Sequence, residues 1–349
     1  MRGEYKVPGG KLVVVELEVV DGRLADVHVS GDFFLEPDSA LEDIDAALTG
    51  MPADTKADGL AAAIEGALDE SVALIGFSPQ AVGIAVRRAL GRATGWADHT
   101  FDVIGPQVMD PVMHMALDEV LPQEVAAGRR NPLLRIWDWD ASVVVIGSFQ
   151  SVRNEVDEDA ARHHDIRIAR RISGGGAMFM EPGNCITYSL VVPTSLVEGL
   201  TFEQSYAFLD DWVLGALADV GISARYVPLN DIASDAGKIG GAAQKRFAAG
   251  AVLHHVTMAY DIDADKMMQV LRTGREKLSD KGTKSANKRV DPMRSQTGMA
   301  RDAVIEALLA HFRGRYDTVD SGYTDAELAA ARELTETKFL TPEWTHRVP

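Results

Sequence analysis

The fold this chain predicts is α+β: a mixed, largely antiparallel sheet flanked by helices, with a smaller α+β module in front of it. Three observations predict it. Strand-like runs that follow one another through short turns favour antiparallel or mixed pairing over a doubly wound parallel sheet. A length of 349 residues at 46% apolar composition is enough for a full core and implies two domains. The charge is also unevenly divided: residues 1–80 carry 16 acidic and 5 basic side chains, so -11 of the net -17 sits at the front, as a separate acidic module would place it.

Taken in order, Lys11 to Val20 and Leu24 to Ser30 read as two β-branched strands around a tight Asp21-Gly22 turn. Helical spacing of apolar residues follows in Ser39 to Leu48, in the alanine-rich Gly59 to Leu74, and in Gln80 to Leu90. These elements make a domain of residues 1–90. Gly91 to Thr100 mixes glycine, polar residues and one tryptophan without periodicity, and a linker is expected over residues 91–103. The second domain, residues 104–349, opens with a helix from Asp110 to Leu121, strands at Leu133 to Trp137 and Ser142 to Gly147, and a helix from Asn154 to His164. Ile166 to Arg170 is a strand entering a glycine-rich turn, and Cys185 to Val192 is the strand leaving it. A long helix, Thr201 to Val220, precedes Asn230-Asp231, and a hairpin pairs Gly237 to Phe247 with Gly250 to Tyr260. Lys277 to Asp291 has almost nothing to bury and reads as a mobile loop.

Bulk properties exclude several functions. With 52 acidic against 35 basic side chains there is no basic stripe for nucleic acid. No amino-terminal apolar segment and no apolar run near membrane-spanning length occurs, so a soluble cytoplasmic protein without membrane contact is expected. The single cysteine, Cys185, rules out an intramolecular disulfide and any multi-cysteine metal site.

The chemistry concentrates in Arg170-Arg171-Ile172-Ser173-Gly174-Gly175-Gly176-Ala177 and, about 60 residues on, Asn230-Asp231 and Lys238-Ile239-Gly240-Gly241. Successive glycines let backbone N–H groups turn toward an anion, and arginines would add charge to match a carboxylate or phosphate. An ordinary glycine turn is the alternative, since neither a dinucleotide fingerprint nor a Walker loop is present. Lys238 is either a solvated surface lysine or a cation set against a reacting carboxylate and α-phosphate. Asp231 could bind Mg²⁺ through oxygen, or Asn230-Asp231 could be a capped turn. His254-His255 cannot chelate one ion from one face, because neighbours on a strand point apart. Cys185 lies in an apolar strand without an activating base beside it and reads as a core thiol.

RRISGGGAMFMEPGN (170–184) resembles the lipoate-binding loop of lipoate-protein ligases. NDI (230–232), KIGGAAQKR (238–246) and LHHVTM (253–258) resemble their central motifs in the same order. KLSDKGTKSANKRV (277–290) is similar to the loop that closes over the acyl-adenylate, and the ending LTETKFLTPEW (334–344) continues the likeness, which covers residues 104–349. The hairpin and helices of residues 1–90 resemble the accessory domain that commonly follows the catalytic domain in these ligases; here it precedes it. The resemblance implies a biotin/lipoate protein ligase-like catalytic domain. It also implies a reaction in which lipoate and MgATP give lipoyl-adenylate, from which a carrier-domain lysine takes the acyl group. It implies that Arg171, Ser173, Gly174, Gly175, Gly176 and Ala177 line the acyl and adenylate pocket. It further implies that Lys238 is the catalytic cation, that Asn230 and Asp231 sit by nucleotide and Mg²⁺, and that Lys281, Gly282 and Ser285 belong to the closing loop. Lipoyl carrier domains of 2-oxoacid dehydrogenases and the glycine-cleavage carrier protein are the implied partners. The dithiolane and its tail need an apolar slot, for which Ile172, Ala177 and Met178 are expected walls.

The chain departs from the family pattern at Met180-Glu181, where His-Asp is frequent, at Gly240, where serine is usual, and at Val256, where glycine is usual. Two rival functions follow: an octanoyl or lipoyl transferase of the same fold acting through a cysteine, and a non-catalytic lipoate- or carrier-binding protein. Biotin ligases carry a basic GRGRxGR-type loop that is absent here.

Overall fold

The computed structural model describes residues 1–7, 9–91, 93–235, 237–272 and 292–349. The chain forms two compact units, residues 1–98 with 194–211, and residues 99–193 with 212–349. The expected loop 277–291, and with it Lys281, Gly282 and Ser285, lies outside the described residues.

In the first unit β1 (Arg2–Lys6), β2 (Leu12–Val20) and β3 (Arg23–Gly31) form an antiparallel sheet in the order β1-β2-β3. The β2–β3 turn is tight because Asp21 (φ 49°) and Gly22 (φ 74°) both take positive φ. The polar residues of Arg2–Lys6 hide β1 from a search for alternation, yet Gly3 and Tyr5 are both buried. The helices α1 (Ala40–Leu48), α2 (Ala57–Ala67) and α3 (Pro79–Gly91) bury Ile44, Leu48, Leu60, Ile64, Val82 and Val86. The expected helix 59–74 stops at Ala67: Leu68 is extended, and Ala73–Ile75 is β5, paired with β4 (Phe34–Glu36).

The second unit carries the predicted mixed, largely antiparallel sheet. Its eight strands run in the order β12-β13-β14-β15-β11-β7-β6-β16. They are β12 (Arg225–Val227), β13 (Asp231–Ala233), β14 (Lys238–Phe247), β15 (Ala251–Ala259), β11 (Cys185–Pro193), β7 (Leu133–Trp139), β6 (Phe101–Met109) and β16 (Thr318–Asp320). Among the described residues of this sheet, only the β6–β7 and β6–β16 pairings are parallel. The sequence gives no warning of β6, because Gly105-Pro106 breaks its pattern; the register shifts between Ile104 and Gln107, the kind of bulge at which a proline is tolerated in a sheet. A second, smaller sheet pairs β10 (Met178–Met180), β8 (Val143–Ile146) and β9 (Arg167–Arg170) in the order β10-β8-β9.

The helix α4 (Pro111–Ala126), capped by the Asp110 side chain on the Val112 amide, packs on β11 and β15. The expected helix 154–164 is two short ones, α5 (Val152–Glu155) and α6 (Glu158–His163), because Val156 between them is drawn into an antiparallel bridge with Leu271. The long helix α7 (Phe202–Asp219) follows a short 3₁₀ turn, Thr194–Val197, and α8 (Ala264–Val270) follows β15. No helix among the described residues is long and apolar enough to cross a membrane.

Candidate functional site

A cavity of about 190 Å³ lies between the loop joining β9 to β10 and the β14–β15 hairpin. Ala177, Met178, Ala243, Ile262, Met267 and Leu271 make apolar wall, and Asn230, Lys238, Gly241, His255 and Thr257 supply the polar edge. On β15 the lining residues are His255, Thr257 and Ala259, every second position, so His254 and His255 face opposite sides of the sheet.

Of the expected residues, Arg171, Gly175, Gly176, Ala177, Asn230 and Lys238 line this cavity, as does Met178. Ile172 does not; it is buried in the core with Met115, Trp139 and Cys185. Lys238 Nζ is 2.7 Å from Asp231 Oδ1, a partly exposed ion pair (side chains 35% and 16% accessible). Its ammonium rests over Gly241, where an added Cβ would stand 3.3 Å from Nζ. Asn230 is held by Nδ2 donating to the Ala242 carbonyl at 2.6 Å, with the Ala242 amide returning a bond to the Asn230 carbonyl.

Arg170 is not among the residues lining the cavity, and Arg171, which lines it, is also tied to the glycine loop. Arg170 is fully buried and donates to the carbonyls of Gly147, Ser148, Gln150, Trp344 and Thr345. Arg171 donates to the carbonyls of Gly174 (2.6 Å) and Gly176 (2.9 Å) and to Ser173 Oγ (3.1 Å). Each guanidinium satisfies carbonyls that non-regular backbone leaves unpaired: Arg170 those of residues 147–150 and 344–345, Arg171 those of the glycine loop. The glycines serve the shape of that loop: Gly175 has φ 96°, and a Cβ on Gly147 would sit 2.1 Å from the Gly175 carbonyl oxygen. Among the described residues the amides of Gly174, Gly175 and Gly176 donate to no group, and of the three Gly175 and Gly176 line the cavity.

Ser173 and Gly174 stand behind the lining. Ser173 is 1% exposed, and its hydroxyl is 2.7 Å from His255 Nε2. His255 Nδ1 is 2.7 Å from Asp118 Oδ2, and Asp118 Oδ1 accepts from Arg135 Nη2 (2.5 Å) and from Ser189 Oγ (2.7 Å). Ser189 in turn accepts from Trp137 Nε1 at 2.8 Å. Burial pushes the Asp118 carboxyl up, but Arg135 and then His255 outweigh it and hold it below the usual carboxylate range. Burial pushes His255 down, against the pull of Asp118. Sequence reading missed Asp118, Arg135 and His255 as a group. The available signal was an aspartate inside the apolar helical run His114 to Leu121, a position where a charge needs a buried partner.

Met180, where histidine is frequent, is 2% exposed in the core, and Glu181 pairs with Lys266 Nζ on α8 at 2.7 Å. Cys185 is fully buried, its thiol donating to Asn184 Oδ1 at 2.8 Å, and burial pushes its pKa up to about 12.

Residues 110–313 match the family model of the lipoyl protein ligase A/B catalytic domain. The chain is 31% identical to lipoate-protein ligase A subunit 1 of Thermoplasma acidophilum, over 66% of this chain and 90% of that one. It is 26% identical to the octanoyltransferase LipM of Brevibacillus brevis, over 68% and 96%. Among solved structures it resembles the T. acidophilum bi-partite lipoate protein ligase analysed with its E2 lipoyl domain (29% identity, TM-score 0.63, 72% of this chain and 98% of that one). A T. acidophilum protein solved with bound lipoic acid gives 27%, 0.60, 71% and 99%. A lipoate-protein ligase A bound with ATP gives 26%, 0.61, 72% and 100%.

Proposed function

Because the chain belongs to the lipoyl protein ligase A/B catalytic-domain family, we propose that it is an ATP-dependent lipoate-protein ligase. The observation that carries this reading is Lys238, an ammonium at the edge of an apolar cavity that Gly175 and Gly176 also line, glycines whose amides donate to no group among the described residues. Ligand pockets for whole drug-sized molecules run from roughly 300 Å³ upward, so a cavity of about 190 Å³ suits an acyl tail and leaves a nucleotide outside it. Ala177, Met178, Ile262 and Leu271 would hold the tail, with the carboxylate directed to Lys238.

In the first step a carboxylate oxygen attacks the α-phosphorus of ATP and pyrophosphate leaves, giving the acyl-adenylate. In the second a carrier lysine amine attacks the acyl carbon and AMP leaves, the amine proton passing to solvent. A carboxylate is a poor acylating agent and its anhydride with AMP a good one. Negative charge builds at the α-phosphate in the first step, where Lys238 and the loop amides would stabilise it. Asp231 would hold the Mg²⁺ that accompanies ATP: one carboxylate oxygen contacts Lys238, and magnesium in such sites takes one or two carboxylates with substrate phosphates completing its shell. Bound there, the ion would neutralise phosphate charge. Lys281, Gly282 and Ser285 are proposed for the closing loop and residues 1–90 for the accessory domain. Lipoyl carrier domains, of the 2-oxoacid dehydrogenase and glycine-cleavage kind, are the proposed acceptors.

The octanoyltransferase relatives favour a second reading, acyl transfer through a cysteine. Cys185 is the only cysteine, and a fully buried thiol with a pKa near 12 is a poor nucleophile, so the ligase is preferred. The test is the intact mass of a purified lipoyl carrier domain after incubation with the protein and lipoate. A lipoyl mass gain that requires MgATP is expected; modification only from octanoyl carrier protein without ATP would sink the ligase. Lys238→Ala should lower adenylation about 10²–10³-fold with an unchanged melting temperature, and undiminished turnover would remove Lys238 from the mechanism.

A further inference from the structure

The cavity wall at His255 is the near end of a buried polar chain that crosses three elements. Asp118 comes from α4, His255 from β15, and Ser173 opens the glycine loop, with separations of 2.7 Å at both joints. The proton positions follow from the partners. The Asp118 carboxylate accepts from Arg135 and Ser189 on one oxygen, and carries no proton to give on the other. His255 Nδ1 must therefore donate to it, and the neutral ring then presents a lone pair at Nε2. Among the described residues the Ser173 hydroxyl is the partner of that lone pair, so its O–H donates to His255 while its oxygen accepts from Arg171 Nε. The Arg171 guanidinium that meets Ser173 also holds the carbonyls of Gly174 and Gly176. An aspartate on a helix behind the sheet is thus connected, bond by bond, to the curvature of the loop that presents the glycine amides.

We propose that Asp118 is a positioning residue of the acyl site: through His255 it fixes the hydroxyl of Ser173, and with it the glycine loop that faces the bound acid. The inference rests on the ligase reading for what the loop binds, but the chain of bonds exists without ligand. Arg135 is the counter-charge that keeps Asp118 an acceptor. Its guanidinium is fully buried, donates also to the His114 carbonyl at 2.7 Å, and lies over the Trp137 ring at 5.0 Å.

Two measurements test this. The first is ¹⁵N NMR of histidine-labelled protein without ligand, the His255 signal being assigned by its loss in His255→Gln. The Nδ1–H tautomer is expected in the wild type; an Nε2–H tautomer would overturn the proposal, whatever the protein's activity. The second is calorimetric binding of lipoate without ATP to Asp118→Asn, Ser173→Ala and the double variant. Each single change should weaken binding about tenfold and the double no further, because both break the same chain. Additive losses, about a hundredfold together, would make Asp118 merely structural. Should Asp118→Asn fail to fold with Arg135 left unpaired, a Ser173→Ala by His255→Gln cycle reads the same coupling. Wild-type protein that binds no lipoate would refute the ligase reading, while the tautomer would still decide the relay.

Discussion

His114 is fully buried and stacked on Trp137, ring centroids 5.0 Å apart; Nε2 donates to the Asp138 carbonyl, and Nδ1 accepts from Arg135 Nη1 at 3.1 Å. Burial, then the neighbouring Arg135, push its pKa from 6.5 down to about 3. Below pH 6.5 the unfolded chain therefore takes up a proton that the folded chain refuses, and stability falls as pH drops from about 6.5 toward 3. For this one group the slope is about 1.4 kcal/mol per pH unit. His255, also lowered, acts with the same sign, and the lowered Asp118 adds stability that is lost only at more acid pH. Urea unfolding at pH 7 and pH 5 should show the loss, and His114→Gln should reduce the slope by about one proton; equal stabilities at the two pH values would contradict the assignment. Such buried partners explain what the sequence leaves unread at this scale. Lys238 is legible because a lysine opening an apolar, glycine-rich strand is out of place. The destination of Arg170 is not: an arginine beside glycines reads the same whether it meets a ligand or the carbonyls of Trp344 and Thr345, which lie about 174 residues away.

The β14–β15 hairpin shows what an element adds to its residues. The hairpin closes at a glycine with φ 103°, Gly250, and β15 carries the β-branched residues Val252, Val256 and Thr257 that make a strand legible, whereas β14 has only Ile239. What pattern cannot give is how close the strands come at Gly240. A Cβ there would lie 2.8 Å from the Thr257 carbonyl oxygen and 2.9 Å from Met258 Cγ, so the serine usual in the family does not fit this backbone without a shift. Gly240→Ser should cost about 1–3 kcal/mol, read as a lower urea midpoint with unchanged m. A variant as stable as the parent would mean that the hairpin has room to part there. The short strands around the site were lost to sequence reading for a related reason: β10 and β13 are three residues each, below the length at which alternation can be counted, and β6 is interrupted by its own bulge.

At the level of the whole chain, charge divides the front from the rest, but the compact unit built on that front also recruits residues 194–211. Arg88, 1% exposed, donates to the carbonyls of Glu4, Thr94, Leu196 and Glu198, and lies over the Phe208 ring at 5.5 Å. Thr94 Oγ1 and Ser195 Oγ are 2.9 Å apart, and the Trp96 and Phe208 rings are 5.4 Å apart. No local period announces such pairings, because their partners are separated by about a hundred residues and a helix face does not state what will cover it. The acidic module therefore holds a segment that lies, in sequence, inside the proposed catalytic domain. A chain beginning at residue 99 should leave Leu196, Glu198 and Phe208 without these partners. It should lose at least about 2 kcal/mol, or about 4–8 °C of melting temperature at this size. Residues 1–98 supplied as a separate polypeptide should restore the loss, since the contacts need proximity rather than the covalent link. If the shortened chain melts where the full one does and ignores the added module, residues 194–211 stand without the contacts to residues 1–98.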